Sequence, residues 1–139
     1  MHWIERYYEL SPAPFEGINQ LHAALDAFWA DAEVTPEVRI RFGTALAEVV
    51  ANILQYAVVP SDAPIQLRLR CSPHRLEARL VDRGKAWQMP AELVTLPDMW
   101  EESGRGLAIA RGFLDTLQYR RFGNVNCWRL VLLSKPKPA

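Results

Sequence analysis

Apolar and polar positions switch period several times along the chain, and each switch marks an element. Residues 3–10 mix aromatic and β-branched types and stop at Ser11-Pro12-Ala13-Pro14, which predicts a strand and then a turn. Apolar residues at 15, 18, 21, 25, 28 and 29 then follow helical spacing. Thr35-Pro36-Glu37 is a helix start, with Thr35 as N-cap, Pro36 in the first helical position and Glu37 in the first turn. This second helix is expected from 36 to about 57, with Val38, Phe42, Leu46, Val49, Val50 and Ile53 as its buried stripe.

The period then drops to two. Ile65, Leu67, Leu69 and Cys71 alternate with Gln66, Arg68 and Arg70, and Leu76, Ala78 and Leu80 alternate with Glu77 and Arg79. Strict alternation gives one buried and one wet face. A two-residue loop at Pro73-His74 would set Cys71 against Leu76, Leu69 against Ala78, Leu67 against Leu80 and Arg70 against Glu77. Residues 86–103 carry Pro90 and Pro97 and no clean period, so they read as a long loop with room for one short helix, of a length that is usually functional or disordered. A third helix is expected from about 105 to 115, then strands 116–122 and 125–133 about a Gly123-Asn124 turn. The tail 135–139 is expected to fray. The order β-α-α-β-β-loop-α-β-β predicts one α+β domain over 1–134. It would be a two-layer sandwich with a mixed, mainly antiparallel sheet and helices on one face.

Composition narrows the function classes. Sixteen basic and sixteen acidic residues cancel, so no field for a polyanion is advertised and direct nucleic-acid binding is not expected. Cys71 and Cys127 are too few for a disulfide framework and suit a reducing cytoplasm, where they would be small buried hydrophobes. No signal-peptide core follows Met1, and no apolar run approaches the ~18 residues of a membrane span. His2, His22 and His74 lack ligand spacing, so no zinc site is expected.

Three places could carry chemistry. Arg41, Thr44, Glu48, Asn52 and Gln55 run opposite the apolar stripe of the second helix. Glu48 and Asn52 are four apart and share a face, where a carboxylate can take a proton and an amide oxygen can ligate Mg²⁺. The same strip read plainly is a solvated helix face. Asp82 continues the apolar face of its strand, so it either caps the turn at Arg83-Gly84-Lys85 or awaits a donor from a ligand. Ser103-Gly104-Arg105-Gly106-Leu107 opens a helix, where glycines admit close backbone approach and free N–H groups favour anions. Alone, that pattern is also plain turn chemistry, and it lacks the Lys-Ser/Thr of a Walker loop.

In order, Glu48-x-x-x-Asn52, Asp82-x-Gly84 and Gly104-x-Gly106 resemble the nucleotide-binding superfamily of gyrase, histidine-kinase and MutL ATPase domains. The stretches Ala47-Glu48-Val49-Val50-Ala51-Asn52 and Glu102-Ser103-Gly104-Arg105-Gly106-Leu107 look most like its bacterial anti-sigma-factor serine/threonine kinases. The resemblance implies a Bergerat-type ATP-binding fold. It implies that Asn52 holds Mg²⁺ on the phosphates of ATP and that Glu48 is the general base for a substrate serine. Asp82 would accept from the adenine amine, with Gly84 making room. Residues 86–103 would form the ATP lid. Gly104, Gly106 and Leu107 would present backbone to phosphate oxygens, and Arg105 a charge. The implied partners are a sigma factor and an anti-sigma-factor antagonist, with the kinase a homodimer away from membranes.

Three departures stand out. Ala86 replaces the second glycine of an Asp-x-Gly-x-Gly box, Tyr56 stands where the family often has histidine, and the last-strand threonine has no clear counterpart beyond nearby Asn126 or Cys127. The alternative reading is a non-catalytic partner-binding module. Of the tryptophans, most read as packing; Trp87 and Trp100 bracket the loop and could instead cover a ligand. Arg68, Arg70 and Arg79 form a basic patch that serves solubility or an acidic partner.

Overall fold

A computed structural model describes residues 3–87 and 102–134. The elements are β1 (Ile4–Leu10), α1 (Pro14–Asp31), α2 (Pro36–Tyr56), β2 (Ile65–Ser72), β3 (Arg75–Asp82), α3 (Glu102–Phe113), β4 (Thr116–Phe122) and β5 (Val125–Leu133). The five strands form one sheet in the order β1-β2-β3-β5-β4, and every described pairing is antiparallel. The β2–β3 register is the expected one: Cys71 faces Leu76, Leu69 faces Ala78, Leu67 faces Leu80 and Arg70 faces Glu77.

Local chemistry explains the boundaries. Thr35 sits in extended geometry and its hydroxyl accepts from the Val38 amide at 3.4 Å, capping α2 as expected. Gly123 takes a left-handed φ of 60°, which the two-residue turn before β5 requires. α3 begins at Glu102 rather than near 105, so Ser103-Gly104-Arg105-Gly106 lies inside its first turns. The expected loop falls mostly on 88–101, outside the described residues, as does the 135–139 tail.

One face of the sheet meets the helices. Leu67, Leu69, Leu80 and Leu130 pack with Leu21, Phe28, Phe42, Leu46 and Ile53, all essentially inaccessible to solvent. Each such side chain gains roughly 1.5–3 kcal/mol from leaving water. Four members of the apolar sets differ. Phe15 is 90% exposed in the first turn of α1, and Ile18, Trp29 and Val38 are only half-buried.

α2 ends at a strained residue. Val58 adopts φ 52° just past the Ala57 C-cap, a left-handed position usually taken by glycine. Val58 is 63% exposed, so its side chain returns little packing. Val58→Gly is expected to raise unfolding free energy by up to about 1 kcal/mol in urea titration, strain relief outweighing glycine's entropy. A loss of stability would show that the valine is not strained.

The opposite face carries Glu77, 3% exposed beneath three arginines. Arg79 donates to its carboxylate at 2.8 Å, Arg129 at 3.2 Å and Arg75 at 3.4 Å. Burial pushes the Glu77 pKa up, but the Arg79 and Arg129 hydrogen bonds and charges prevail and lower it to about 2.

Candidate functional site: the α2–α3 cleft and the end of β3

The middle of the polar strip of α2 is not a wet face, because α3 packs along it, while Arg41 and Gln55 at its ends are exposed. Glu48 is half-buried and Asn52 only 5% exposed. A Cβ built on Gly106 would lie 2.5 Å from Glu48 Oε2, so the carboxylate sits directly against this glycine, and a larger residue there would turn the carboxylate aside. One turn along α2, the Asn52 Oδ1 is buried with no hydrogen-bond partner. A buried orphan acceptor is costly, and a hard cation or a ligand donor would satisfy it. The residues present therefore fit a Mg²⁺–nucleotide.

Asp82 ends the apolar face of β3 at 1% exposure. Its two oxygens divide the two roles read from the sequence. Oδ1 accepts from the Gly84 amide at 2.8 Å, which caps the turn. Oδ2 is buried and unpartnered, which leaves one acceptor for a ligand. Gly84 sits against the C-terminal end of α2, where any Cβ would collide with the Ala57 carbonyl oxygen. The Lys85 amide donates to that same oxygen at 2.5 Å, tying the turn to the helix.

Asn126 is the residue that sequence reasoning left among nearby candidates. It lies directly opposite Asp82 on β5 and is 1% exposed. Its Nδ2 donates to Asp82 Oδ1 at 2.9 Å and to the Lys85 carbonyl at 2.8 Å. Its Oδ1 accepts from Arg121 at 2.8 Å and from the Tyr119 hydroxyl at 2.5 Å. Arg121 also donates to the Gly84 carbonyl at 3.0 Å, and the Trp87 amide to the Tyr119 hydroxyl at 2.8 Å. Tyr119 and Arg121 had no signal in the sequence; both come from the β4–β5 hairpin, whose place beside β3 is a long-range pairing. Trp87 meets Tyr119 edge-on and Trp128 at a tilt, with centroids at 5.9 and 5.3 Å. It packs at the start of the segment and joins the core edge. Trp100 lies outside the described residues.

The remaining predicted positions fall into place unevenly. Gly104 lies within the first turn of α3, among the helix's free N–H groups. Gly106 and Leu107 are the fifth and sixth residues of α3, past its free N–H groups, and the Leu107 side chain is fully buried, so the backbone donors expected of these two positions are already committed to the helix. Ala86 is exposed and Tyr56 half-buried; the side chain of Arg105 lies outside the described residues. Burial raises the thiol pKa of Cys71, and burial followed by the Asp82 charge raises that of Cys127. Among the described residues there is no cluster of three histidine, cysteine, aspartate or glutamate side chains able to hold a metal. No described helix is long and apolar enough to cross a membrane.

Residues 12–132 match the family model of the histidine kinase-like ATPase domain. The chain belongs to that family. The solved RsbU and RsbW domains of Rv1364c from Mycobacterium tuberculosis align over 96% of this chain with TM-score 0.70 and 16% identity. The histidine kinase domain of the Erythrobacter litoralis EL346 blue-light activated kinase aligns over 83% with TM-score 0.53 and 20% identity, covering 59% of that chain. The Acinetobacter baumannii histidine kinase AdeS aligns over 94% with TM-score 0.53 and 16% identity, covering 68% of that chain. At these identities the likeness is one of fold. The chain spans 33% of the length of the Mycobacterium tuberculosis chain. No curated protein matches it in sequence.

Proposed function

We propose that this histidine kinase-like ATPase domain is an ATP-dependent serine/threonine protein kinase of the anti-sigma-factor type. It would act in the cytoplasm as a homodimer, sequester a sigma factor and phosphorylate that factor's antagonist. The observation that carries the reading is Glu48 one turn from Asn52 under the glycine-bearing end of α3. That arrangement sets a proton acceptor beside an amide oxygen suited to a metal-bound phosphate. A solved neighbour that joins an RsbW domain to an RsbU domain supports a regulatory setting.

Each residue has a task in such a transfer. Asp82 Oδ2 accepts a hydrogen bond from the adenine amine while Oδ1 stays committed to the turn. Asn52 Oδ1 would hold Mg²⁺, which when bound neutralises phosphate charge. The free N–H groups at the start of α3, Gly104 among them, hold phosphate oxygens. Glu48 takes the proton of the incoming serine hydroxyl as its oxygen bonds to the γ-phosphorus and ADP departs. Positioning and charge neutralisation supply most of what phosphoryl transfer needs.

Calorimetric titration with Mg-ATP and Mg-ADP tests the pocket. Saturable binding is expected, with affinity falling at least about tenfold in Asp82→Ala, since a buried acceptor to a ligand donor is worth ~1–3 kcal/mol. No binding at millimolar nucleotide would favour the second reading, a partner-binding regulator without catalysis. The exposed Ala86, at the second glycine of the box, is the observation on its side.

A further inference from the structure

We propose that the open face of the sheet, opposite the helices, docks an acidic protein segment. The strand register builds this face row by row. The central row reads Tyr7, Arg68, Arg79, Arg129, Gln118, so three arginines of neighbouring strands stand directly opposite one another. Like charges so placed destabilise a sheet. The flanking rows add Arg70, Arg75 and Arg120, against three carboxylates on the whole face, Glu5, Glu9 and Glu77. The chain as a whole is neutral, so this excess is a local feature and not a property of composition.

The internal counter-charges are overdrawn. Glu77 alone serves Arg75, Arg79 and Arg129. Glu5 stands 3.5 Å from Arg68 Nε and 4.0 Å from Arg70 Nε, and both Nε atoms are buried without a hydrogen bond. The side chains themselves stay 27–50% exposed on Arg68, Arg70, Arg79 and Arg129, which leaves outer guanidinium donors for added carboxylates. The relief suits a protein. Hollows of about 590 and 440 Å³ meet at Arg79 and Val81. Tyr7, 71% exposed, lines one and Phe122, 60% exposed, lines the other. Apolar side chains between carboxylates would fill them. A nucleic-acid backbone has no apolar side chains to place in these hollows, and a second copy laid face to face would stack arginine row on arginine row.

The test uses the full chain, isotope-labelled for amide spectra, and three probes: a Glu/Leu peptide, its Gln/Leu counterpart and duplex DNA. The Glu/Leu peptide is expected to bind saturably and to shift amides of β2, β3 and β5 but not α1. Its affinity should fall with salt and drop about tenfold or more in the Arg79→Gln, Arg120→Gln pair. If that pair melts early, Arg120→Gln alone serves, since Arg120 does not touch Glu77. Absence of saturable binding, equal binding of the Gln/Leu peptide, or tighter binding of DNA would overturn the proposal. So would a dimer of the chain that the arginine substitutions dissolve, because a second copy would then own the face.

Discussion

Glu48→Gln is expected to lower phosphotransfer to a serine- or threonine-bearing antagonist by roughly 10²–10⁴-fold, the range of a lost general base. Mg-ATP affinity should stay unchanged. The substitution keeps the shape of the side chain that packs against Gly106, so α3 retains its seat on α2. Only the proton acceptor is lost. Single-turnover transfer and nucleotide titration on the same preparation separate the two effects. A variant that transfers phosphate at the parent rate would exclude Glu48 as the base. A variant that fails to bind nucleotide would mean that the carboxylate serves the pocket and not the chemistry.

The second large effect concerns stability and acid. Glu77 has a pKa of about 2 in the folded chain, below its ordinary value of 4.5. A depressed carboxylate pKa contributes stability that is fully present above the unfolded value and is lost as pH falls through the folded one. The window is therefore from about pH 4.5 down to about pH 2. The contribution is on the order of 2 kcal/mol, less than the whole shift implies, because Arg75 and Arg129 are 33% and Arg79 50% exposed to screening. Glu77→Gln should cost about 2–3 kcal/mol near pH 7, since three arginines lose their shared counter-charge. The gap to the parent should close toward pH 2. Urea unfolding of both proteins across that range would refute the assignment if the gap did not change with pH.

Local physics was legible in the residues. Thr35-Pro36 marked the start of α2, the period-two alternation set the β2–β3 register, and Gly123-Asn124 marked the last turn. Each rests on interactions between near neighbours, where capping, pleat and turn geometry act without the rest of the chain. The same logic put Asp82 on the buried face of its strand and Glu48 and Asn52 on one face of a helix. It could not say whether that helix face was wet.

Only the packing of α3 onto α2 decided that question, and no sequence period reports which helix covers which. The β3–β5 pairing likewise brought Asn126, with Arg121 and Tyr119, onto the Asp82 turn from some forty residues away. Contacts of that separation depend on the loop closure and burial of the whole domain. The arginine row has the same origin. Arg68 and Arg79 faced each other in the expected hairpin, but Arg129 joined them only when β5 settled beside β3. What the sequence determined by itself was the set of elements and the polarity of their faces. What the tertiary structure decided was which polar groups were left buried with an unused acceptor or donor: Asn52 Oδ1 and Asp82 Oδ2 in the candidate site, and the arginines on the open face. Burial is a property of the assembled layers, and only burial makes an unpaired polar atom costly enough to signal a ligand.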